Sequence, residues 1–198
     1  MNEKKPDLEQ ETVVSGKWTF RRFLKEWGDV ILILAAVFLV FRFVLQIAWV
    51  PSGSMETTIP TKCALIGWRL PYTVSDPVPE RGDIVTFWSD ELGKVLVKRT
   101  IGLPGDEVTF ADGYVYINGE KLEEDYLPAR GITEDSETYV VPEGCVFFLG
   151  DNRTGSLDAR FWSDPYVTVD EIQARPFIAI SIGKDQCWQG VRFLSREG

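Results

Sequence analysis

The residues Trp27–Met55 read WGDVILILAAVFLVFRFVLQIAWVPSGSM, an apolar run that stops abruptly at Pro51. The uninterrupted apolar part is about 12 residues long and would span about 18 Å as a helix. That is less than the roughly 30 Å of a membrane core. A helix that extends from Trp27 to Leu45 is long enough to cross. The run therefore predicts a single transmembrane anchor.

The residues that flank the run favour a membrane over a buried core helix. Trp27 and Trp49 fall near its two ends, where indole rings prefer to lie at the membrane interface. Arg42 lies near the outer end and can reach the lipid headgroups. A basic segment before the run predicts a cytoplasmic N-terminus. Its members are Lys17, Arg21, Arg22 and Lys25.

The end of the run, Leu45-Gln46-Ile47-Ala48-Trp49, lacks the Ala-x-Ala pattern of a cleaved signal peptide. We therefore expect the anchor to be retained. The predicted organisation is a cytoplasmic tail at residues 1–23, a transmembrane anchor at residues 24–49 and an extracytoplasmic domain at residues 50–198.

Beyond Pro51 the sequence is typical of a mainly β domain, with short strand-forming runs between turn residues and no long helical period. Asp112-Gly113 and Asn118-Gly119 are strong hairpin signals. A small second β subdomain is predicted at about residues 111–145, and the acidic residues 118–140 are expected to form a surface excursion. The predicted strands are Cys63–Ile66, Asp83–Trp88, Val95–Ile101, Glu107–Phe110, Tyr114–Ile117, Cys145–Leu149 and Phe177–Ile182.

Composition excludes several classes of function. The net charge of -9 argues against nucleic acid as a partner. The absence of histidine excludes Ser-His-Asp catalysis and zinc sites that use imidazole. Neither a metal nor a cofactor is expected. The three cysteines lie far apart and are expected to be small buried hydrophobic residues. They are Cys63, Cys145 and Cys187.

Without histidine, a serine nucleophile needs another base. A lysine can serve if its pKa falls from about 10.4 toward neutrality, and burial among apolar side chains has that effect. Lys98 is the candidate, because it follows Val95-Leu96-Val97 in an apolar strand. The strand alone leaves open an exposed lysine on an edge strand, which is a common protection against aggregation.

Two polar segments are candidates for the rest of a site. Pro51-Ser52-Gly53-Ser54-Met55 favours a sharp bend that can expose one hydroxyl, although an ordinary Ser/Gly linker has the same composition. Gly150–Arg160 follows an apolar strand and is a structured polar turn. Within that turn Asp158 and Arg160 have opposite charge and can pair.

In this order, the segments resemble bacterial type I signal peptidases. The matching motifs are Pro51–Met55, Gly82–Val85, Val97–Arg99 with Ile101–Asp106, and Gly150–Arg153 with Ser156, Asp158 and Arg160. The resemblance covers residues 24–182, and four ordered motifs behind one anchor are specific. It implies a membrane-bound serine endopeptidase that removes signal peptides from secreted preproteins at the outer face of the membrane.

The resemblance also implies which residues act. Ser54 would be the nucleophile and Lys98 the general base. Ser156 would orient the Lys98 amine, and the Ser52 hydroxyl would join the Ser54 N–H in an oxyanion hole. Shallow pockets for the small residues at positions -1 and -3 of a signal peptide would be shaped by Val50, Met55, Ile59, Leu96 and Val97.

The resemblance assigns a supporting role to Asp158 and Arg160, which would brace the loop that carries Ser156. The family commonly has Ser-Arg after the aspartate, whereas this chain has Ala159-Arg160 and so lacks one hydroxyl there. The compact external part is similar to the Gram-positive type of enzyme.

Two other functions are consistent with parts of the sequence. A catalytically silent relative that acts as a membrane binding or assembly factor would share the fold, but it would typically lack Ser54 or Lys98. A self-cleaving repressor-type Ser–Lys peptidase is usually soluble and carries a DNA-binding domain, where this acidic chain has an anchor.

Overall fold

A computed structural model describes residues 20–56, 58–75, 77–181 and 190–195, with side chains from residue 23 onward. The chain divides into two compact units, Met1–Phe38 and Leu39–Gly198. The helix α1 (Phe20–Leu39) accounts for the described part of the first unit. The stretch Phe23–Val44 is long and apolar enough to cross a membrane, and none of it is buried within the protein. It therefore fits a single-pass anchor.

The helical segment ends at Val44, one residue before the predicted Leu45, and a strand follows it directly. A π-helical turn at Val40–Val44 follows α1, and the first strand, β1 (Leu45–Val50), begins without a loop. β1 pairs antiparallel with β2 (Cys63–Trp68) along its whole length. Residues 45–49 fall within the predicted anchor at residues 24–49, but in the structure they belong to a sheet. Pairing with β2 satisfies their backbone groups and outweighs their apolar composition.

The larger sheet has eight strands and carries the candidate site. Its other members are β3 (Ile84–Ser89), β4 (Lys94–Gly102), β9 (Cys145–Leu149), β10 (Tyr166–Thr168), β11 (Ile172–Ser181) and β12 (Gly190–Phe193). The strand order is β1-β2-β11-β3-β4-β9-β10, and β12 also pairs with β11. The predicted mainly β class is confirmed.

The strand β11 is longer than the sequence predicts because it joins two neighbours. Its first residues pair with β3, and its later residues pair with β2. The register shifts between Pro176 and Ile178, so the proline lies at an irregularity in the ladder, a position where its missing N–H is tolerated. A short helix, α2 (Leu70–Val74), follows β2.

The smaller sheet forms the predicted second β subdomain. It consists of β5 (Glu107–Ala111), β6 (Tyr114–Ile117), β7 (Glu120–Lys121) and β8 (Tyr139–Val140), in the order β7-β6-β5-β8. Asp112-Gly113 and Asn118-Gly119 form the two predicted hairpin turns, and all four residues have positive φ, as the favoured two-residue turns require. The sheet begins at Glu107 rather than at about residue 111, because β5 is its central strand.

The predicted surface excursion at residues 118–140 is only partly exposed. It contributes β7 and β8 to the smaller sheet, and Thr133 and Tyr139 within it are buried. Tyr139 packs against Phe147 of β9, with 4.7 Å between the ring centroids. The segment therefore links the two sheets and does not extend into solvent as an exposed loop.

β4 is fixed by packing on both of its faces, because successive side chains point to opposite sides of a strand. Val97 belongs to an apolar cluster that also contains Val50, Met55 and Ile59. Leu96 packs against a second cluster built around Phe87. These contacts hold the strand that carries Lys98.

The cysteines differ in burial. Cys63 is buried in the same cluster as Val50, as expected of a small hydrophobic residue. Cys145 is only half-buried. The Cys63 thiol donates a hydrogen bond of 3.7 Å to the Ala64 carbonyl. The third cysteine, Cys187, lies outside the described residues.

Candidate active site

Lys98 lies at the centre of the larger sheet, where β4 runs between β3 and β9. It is opposite Val85 of β3 in the ladder. Only 2% of the residue is exposed, and its Nζ donates a hydrogen bond of 2.8 Å to Ser156 Oγ. The alternative of an exposed edge-strand lysine is thereby excluded.

Burial changes the protonation of Lys98. Desolvation lowers its pKa from 10.5 to about 8, since an ammonium loses its hydration in the interior. The carboxylate of Asp158 acts in the opposite direction, and the guanidinium of Arg160 partly offsets it. About half of the amine is therefore neutral near pH 8, and a neutral amine can accept a proton.

Ser54 lies in the bend that follows β1, and a second loop holds that bend. The Asn152 side chain donates to the Gly53 carbonyl at 2.9 Å, and the Asn152 N–H donates to the Ser54 carbonyl at 3.1 Å. Within the bend, the Glu56 N–H donates to the Gly53 carbonyl at 3.2 Å. One asparagine thus binds the two carbonyls on either side of the Ser54 Cα.

Gly150 allows the two serine-bearing loops to meet. A Cβ at this position would lie 2.1 Å from Ser156 Oγ and 2.4 Å from the Ser54 carbonyl oxygen. Both distances are far below van der Waals contact, so only glycine fits. The structure therefore brings Ser54 and Ser156 to the same point, and Ser156 bonds Lys98.

Asp158 and Arg160 bind the loop around Ser156. Arg160 Nε donates to Asp158 Oδ1 at 2.8 Å, and the Asp158 carboxylate also accepts the Gly150 N–H at 3.0 Å. Arg160 donates further to the Arg153 carbonyl at 2.8 Å. Both side chains of the pair are almost fully buried, so the ion pair connects the two ends of the loop.

Sequence reasoning missed two buried ion pairs beside the site. Arg99, which follows Lys98, makes two hydrogen bonds of 2.7 and 2.8 Å to Asp151. Arg153 binds Glu124 of the segment between β7 and β8. The Gly-Asp-Asn-Arg run was visible as a polar turn, but no local signal marks Glu124 as a partner for Arg153.

A cavity of about 310 Å³ opens beside Ser54. Its walls include Ser52, together with three of the predicted pocket residues, Val50, Leu96 and Val97. The prediction for Met55 and Ile59 needs correction: both are 0% exposed and lie in the core cluster that contains Val50 and Val97. They support the cavity wall without forming its surface, because the bend after β1 turns their side chains into the core.

Comparison with known proteins places the chain in a family. It is 37% identical over 142 residues to the probable signal peptidase I-2 of Synechocystis sp., covering 69% of this chain and 63% of that protein. The chain thus spans less than two thirds of that relative. Signal peptidase I of Bacillus licheniformis is 38% identical over 147 residues, with 69% of this chain and 78% of that protein covered.

A solved structure and a family model complete the comparison. The crystal structure of a signal peptidase I from Enterococcus faecalis V583 aligns with a TM-score of 0.45 at 35% identity, over 50% of this chain and 97% of that chain. The family model described as signal peptidase, peptidase S26, matches residues 24–180. That match covers most of the helical segment, the smaller sheet, the larger sheet apart from β12 and the last residue of β11, and every candidate site residue. The chain therefore belongs to the signal peptidase family, peptidase S26.

Proposed function

We propose that this chain is a membrane-bound serine endopeptidase that removes signal peptides from preproteins, with Ser54 as nucleophile and neutral Lys98 as general base. The observation that carries the proposal is the buried Lys98 amine, bonded at 2.8 Å to Ser156 beside the Ser54 bend. Its pKa of about 8 leaves the amine able to act as a base near neutral pH.

In the acylation step, Lys98 Nζ takes the proton of the Ser54 hydroxyl while the Ser54 oxygen attacks the scissile carbonyl. The Ser54 N–H and the Ser52 hydroxyl hold the resulting oxyanion. When the peptide bond breaks, the protonated Lys98 gives its proton to the departing amine of the mature protein. The signal peptide remains esterified to Ser54.

In the deacylation step, Lys98 takes a proton from water, and the water oxygen attacks the ester. The ester then breaks, Ser54 regains its proton from Lys98, and the signal peptide leaves with a free carboxylate. Ser156 accepts a hydrogen bond from Lys98 throughout, which directs the lone pair of the amine toward Ser54. Asp158 and Arg160 keep Ser156 in position.

The proposed topology has the N-terminus in the cytoplasm and the catalytic domain on the outer face of the membrane, in contact with lipid. The basic residues before the helix support this orientation. Ser54 follows Val44 by only about ten residues, which can span at most about 36 Å. That reach suits a substrate cleaved where it leaves the membrane.

The test is cleavage of a purified preprotein by the full-length chain in detergent, with the new N-terminus identified by mass spectrometry. Wild type should release the signal peptide, while Ser54→Ala and Lys98→Ala should not. Activity should persist in the presence of a chelator. Absence of cleavage by folded wild type would overturn the proposal and favour a silent binding relative.

A further inference from the structure

Lys94 contributes a charge to the cavity beside Ser54. The cavity wall is otherwise apolar or uncharged, with polar groups from Gln46, Thr86 and the two serines of the bend. Lys94 begins β4 and is exposed. Among the described residues that line the cavity, it is the single ionisable one.

The acidic residues nearest in sequence to Lys94 accept hydrogen bonds from other groups. In the turn between β3 and β4, Asp90 accepts a hydrogen bond of 2.8 Å from the indole of Trp88. Glu91 accepts from the Ser163 N–H at 2.9 Å. Within the described part of the chain, no ion pair or hydrogen bond neutralises the Lys94 ammonium. A carboxylate in the cavity could therefore pair with it without displacing another partner.

The distance from Lys94 to Lys98 corresponds to a specific part of an extended substrate. Lys94, Leu96 and Lys98 share one face of β4, because side chains alternate along a strand. At about 3.3 Å per residue, Lys94 lies about 13 Å from Lys98. A substrate strand beside β4 has the same rise, so the group near Lys94 is four or five residues from the bond cleaved at Ser54.

We infer that Lys94 forms a subsite for a carboxylate side chain four or five residues upstream of the cleavage site, so that an acidic residue there improves a substrate. The inference rests on the proposed function, in which Val50, Leu96 and Val97 accept the residues immediately upstream of the scissile bond. Position -5 is favoured, since it shares a strand face with -1 and -3.

The expected size of the charge preference at -5 follows from the position of Lys94, which is exposed but lies beside apolar cavity walls. A partly exposed ion pair is a modest interaction, and apolar walls strengthen it by excluding some water. We expect Glu at -5 to raise kcat/KM about 3-fold over Gln, and Lys at -5 to lower it by a similar factor.

The experiment compares kcat/KM for three preproteins that carry Glu, Gln or Lys at -5, with full-length wild type in detergent at low salt. The preference should disappear in Lys94→Gln and invert in Lys94→Glu. Ratios within one variant are used, because any effect of Lys94 on the Lys98 amine alters all three substrates equally.

Lys121→Glu is the matched control. It makes the same change in net charge, but Lys121 lies in the smaller sheet against the ring of Tyr114, and it should keep the wild-type preference. No charge preference in wild type, or the same inversion in Lys121→Glu, would overturn the inference. The Gln substrate separates the two proposals: if wild type does not cleave it in a manner that requires Ser54, the proposed function itself is wrong.

Discussion

Lys98 makes the folded protein less stable at the pH values where most proteins are most stable. Its pKa is lowered from 10.5 to about 8, so below about pH 8 both states hold the proton and the folded state bears the full cost of a buried ammonium. Between pH 8 and 10.5 the unfolded chain binds more protons, and stability rises with pH. Above pH 10.5 the cost is gone.

A neutral side chain at position 98 should therefore stabilise the fold at pH 7. Lowering the pKa from 10.5 to about 8 means that burying the charged amine costs the fold about 3 kcal/mol, which a neutral side chain avoids. The substitution also removes the hydrogen bond to Ser156, which stabilises the fold by about 1 kcal/mol. We expect Lys98→Met to gain about 2 kcal/mol at pH 7 and to lose somewhat less than about 1 kcal/mol at pH 10.5, where the lost hydrogen bond outweighs the remaining desolvation cost. Thermal unfolding in detergent measures both values. Lys121→Met should show no such pH-dependent gain. An equal effect of Lys98→Met at both pH values would mean that the lysine is not desolvated.

The same titration sets the acid limb of the pH–rate profile. If the neutral amine is the active form, as proposed, kcat/KM should rise with pH through a midpoint near 8, the pKa of Lys98. Lys98→Arg should be inactive at every pH, because guanidinium keeps its proton. A midpoint near 4 to 5 would indicate a carboxylate base instead, and more than about a tenth of wild-type activity in Lys98→Arg would show that Lys98 is not the general base.

At the scale of the structural element, the contact between the Ser54 bend and the loop after β9 depends on Gly150. Gly150→Ala would insert a methyl group at 2.1 Å from Ser156 Oγ and 2.4 Å from the Ser54 carbonyl, so one loop must move. A displacement of about 1 Å costs on the order of 100-fold in rate.

We expect kcat/KM to fall by about that factor in preprotein cleavage, while far-ultraviolet circular dichroism stays unchanged. Gly28→Ala is the control, since a Cβ there meets nothing within 4 Å. Wild-type activity in Gly150→Ala would show that the two serines are not held at a fixed separation.

The smaller sheet is tied to the site by Arg153, which binds Glu124 and also donates to Thr133 at 2.9 Å. Glu124→Gln leaves a buried guanidinium without its counter-charge. Removing one partner of such a pair typically costs about 3 to 5 kcal/mol, and the amide oxygen retains part of the bonding. We expect a loss of about 2 to 4 kcal/mol, visible as a lower Tm.

Asp125 offers a matched control for this prediction, because it is the next residue and pairs with Arg130 on the surface, where both side chains are largely exposed. Asp125→Asn should leave Tm nearly unchanged. If both variants had the same small effect, the segment between β7 and β8 would not anchor the site.

At the scale of the whole molecule, the start of the catalytic unit can be tested by truncation. A chain that begins at Leu45 retains β1, whereas one that begins at Pro51 loses it. Without β1, the edge of β2 and one wall of the cavity are exposed, which favours aggregation. We expect the first chain to unfold cooperatively and the second to have a lower Tm and to aggregate on size-exclusion chromatography. Equal behaviour would mean that β1 contributes no stability.

The features predicted correctly from the sequence are those with local causes. Strand alternation and the Asp112-Gly113 and Asn118-Gly119 turns act within a few residues, so the mainly β class, most strands and both hairpins are confirmed. The strand at residues 45–49 could not be predicted, because its pairing with β2 depends on the tertiary fold. The apolar run before Lys98 indicated its possible burial, but only the packing of β3 and β9 around β4 establishes it.

Among the candidate site residues, too, those marked by local motifs were predicted and those that depend on the tertiary fold were not. Motif order was enough to select Ser54, Lys98 and Ser156 as candidates, and the fold brings their loops together. Pocket residues need the direction of each side chain, and for that reason Met55 and Ile59 were assigned to a surface that they do not reach. The pairing of Glu124 with Arg153 joins segments distant in sequence, and no pattern in either segment identifies its partner.

The lowered pKa of Lys98 also makes the protein selectively reactive toward amine-directed reagents. The sequence contains no imidazole, so inhibitors that alkylate a catalytic histidine have no target. At pH 7 a lysine with a pKa of about 8 is about 10% neutral, while an ordinary solvated lysine is neutral to well under about 0.1%. Because only 2% of Lys98 is exposed, we expect only a slender electrophile to reach it, and such a reagent should acylate Lys98 in preference to the exposed lysine side chains.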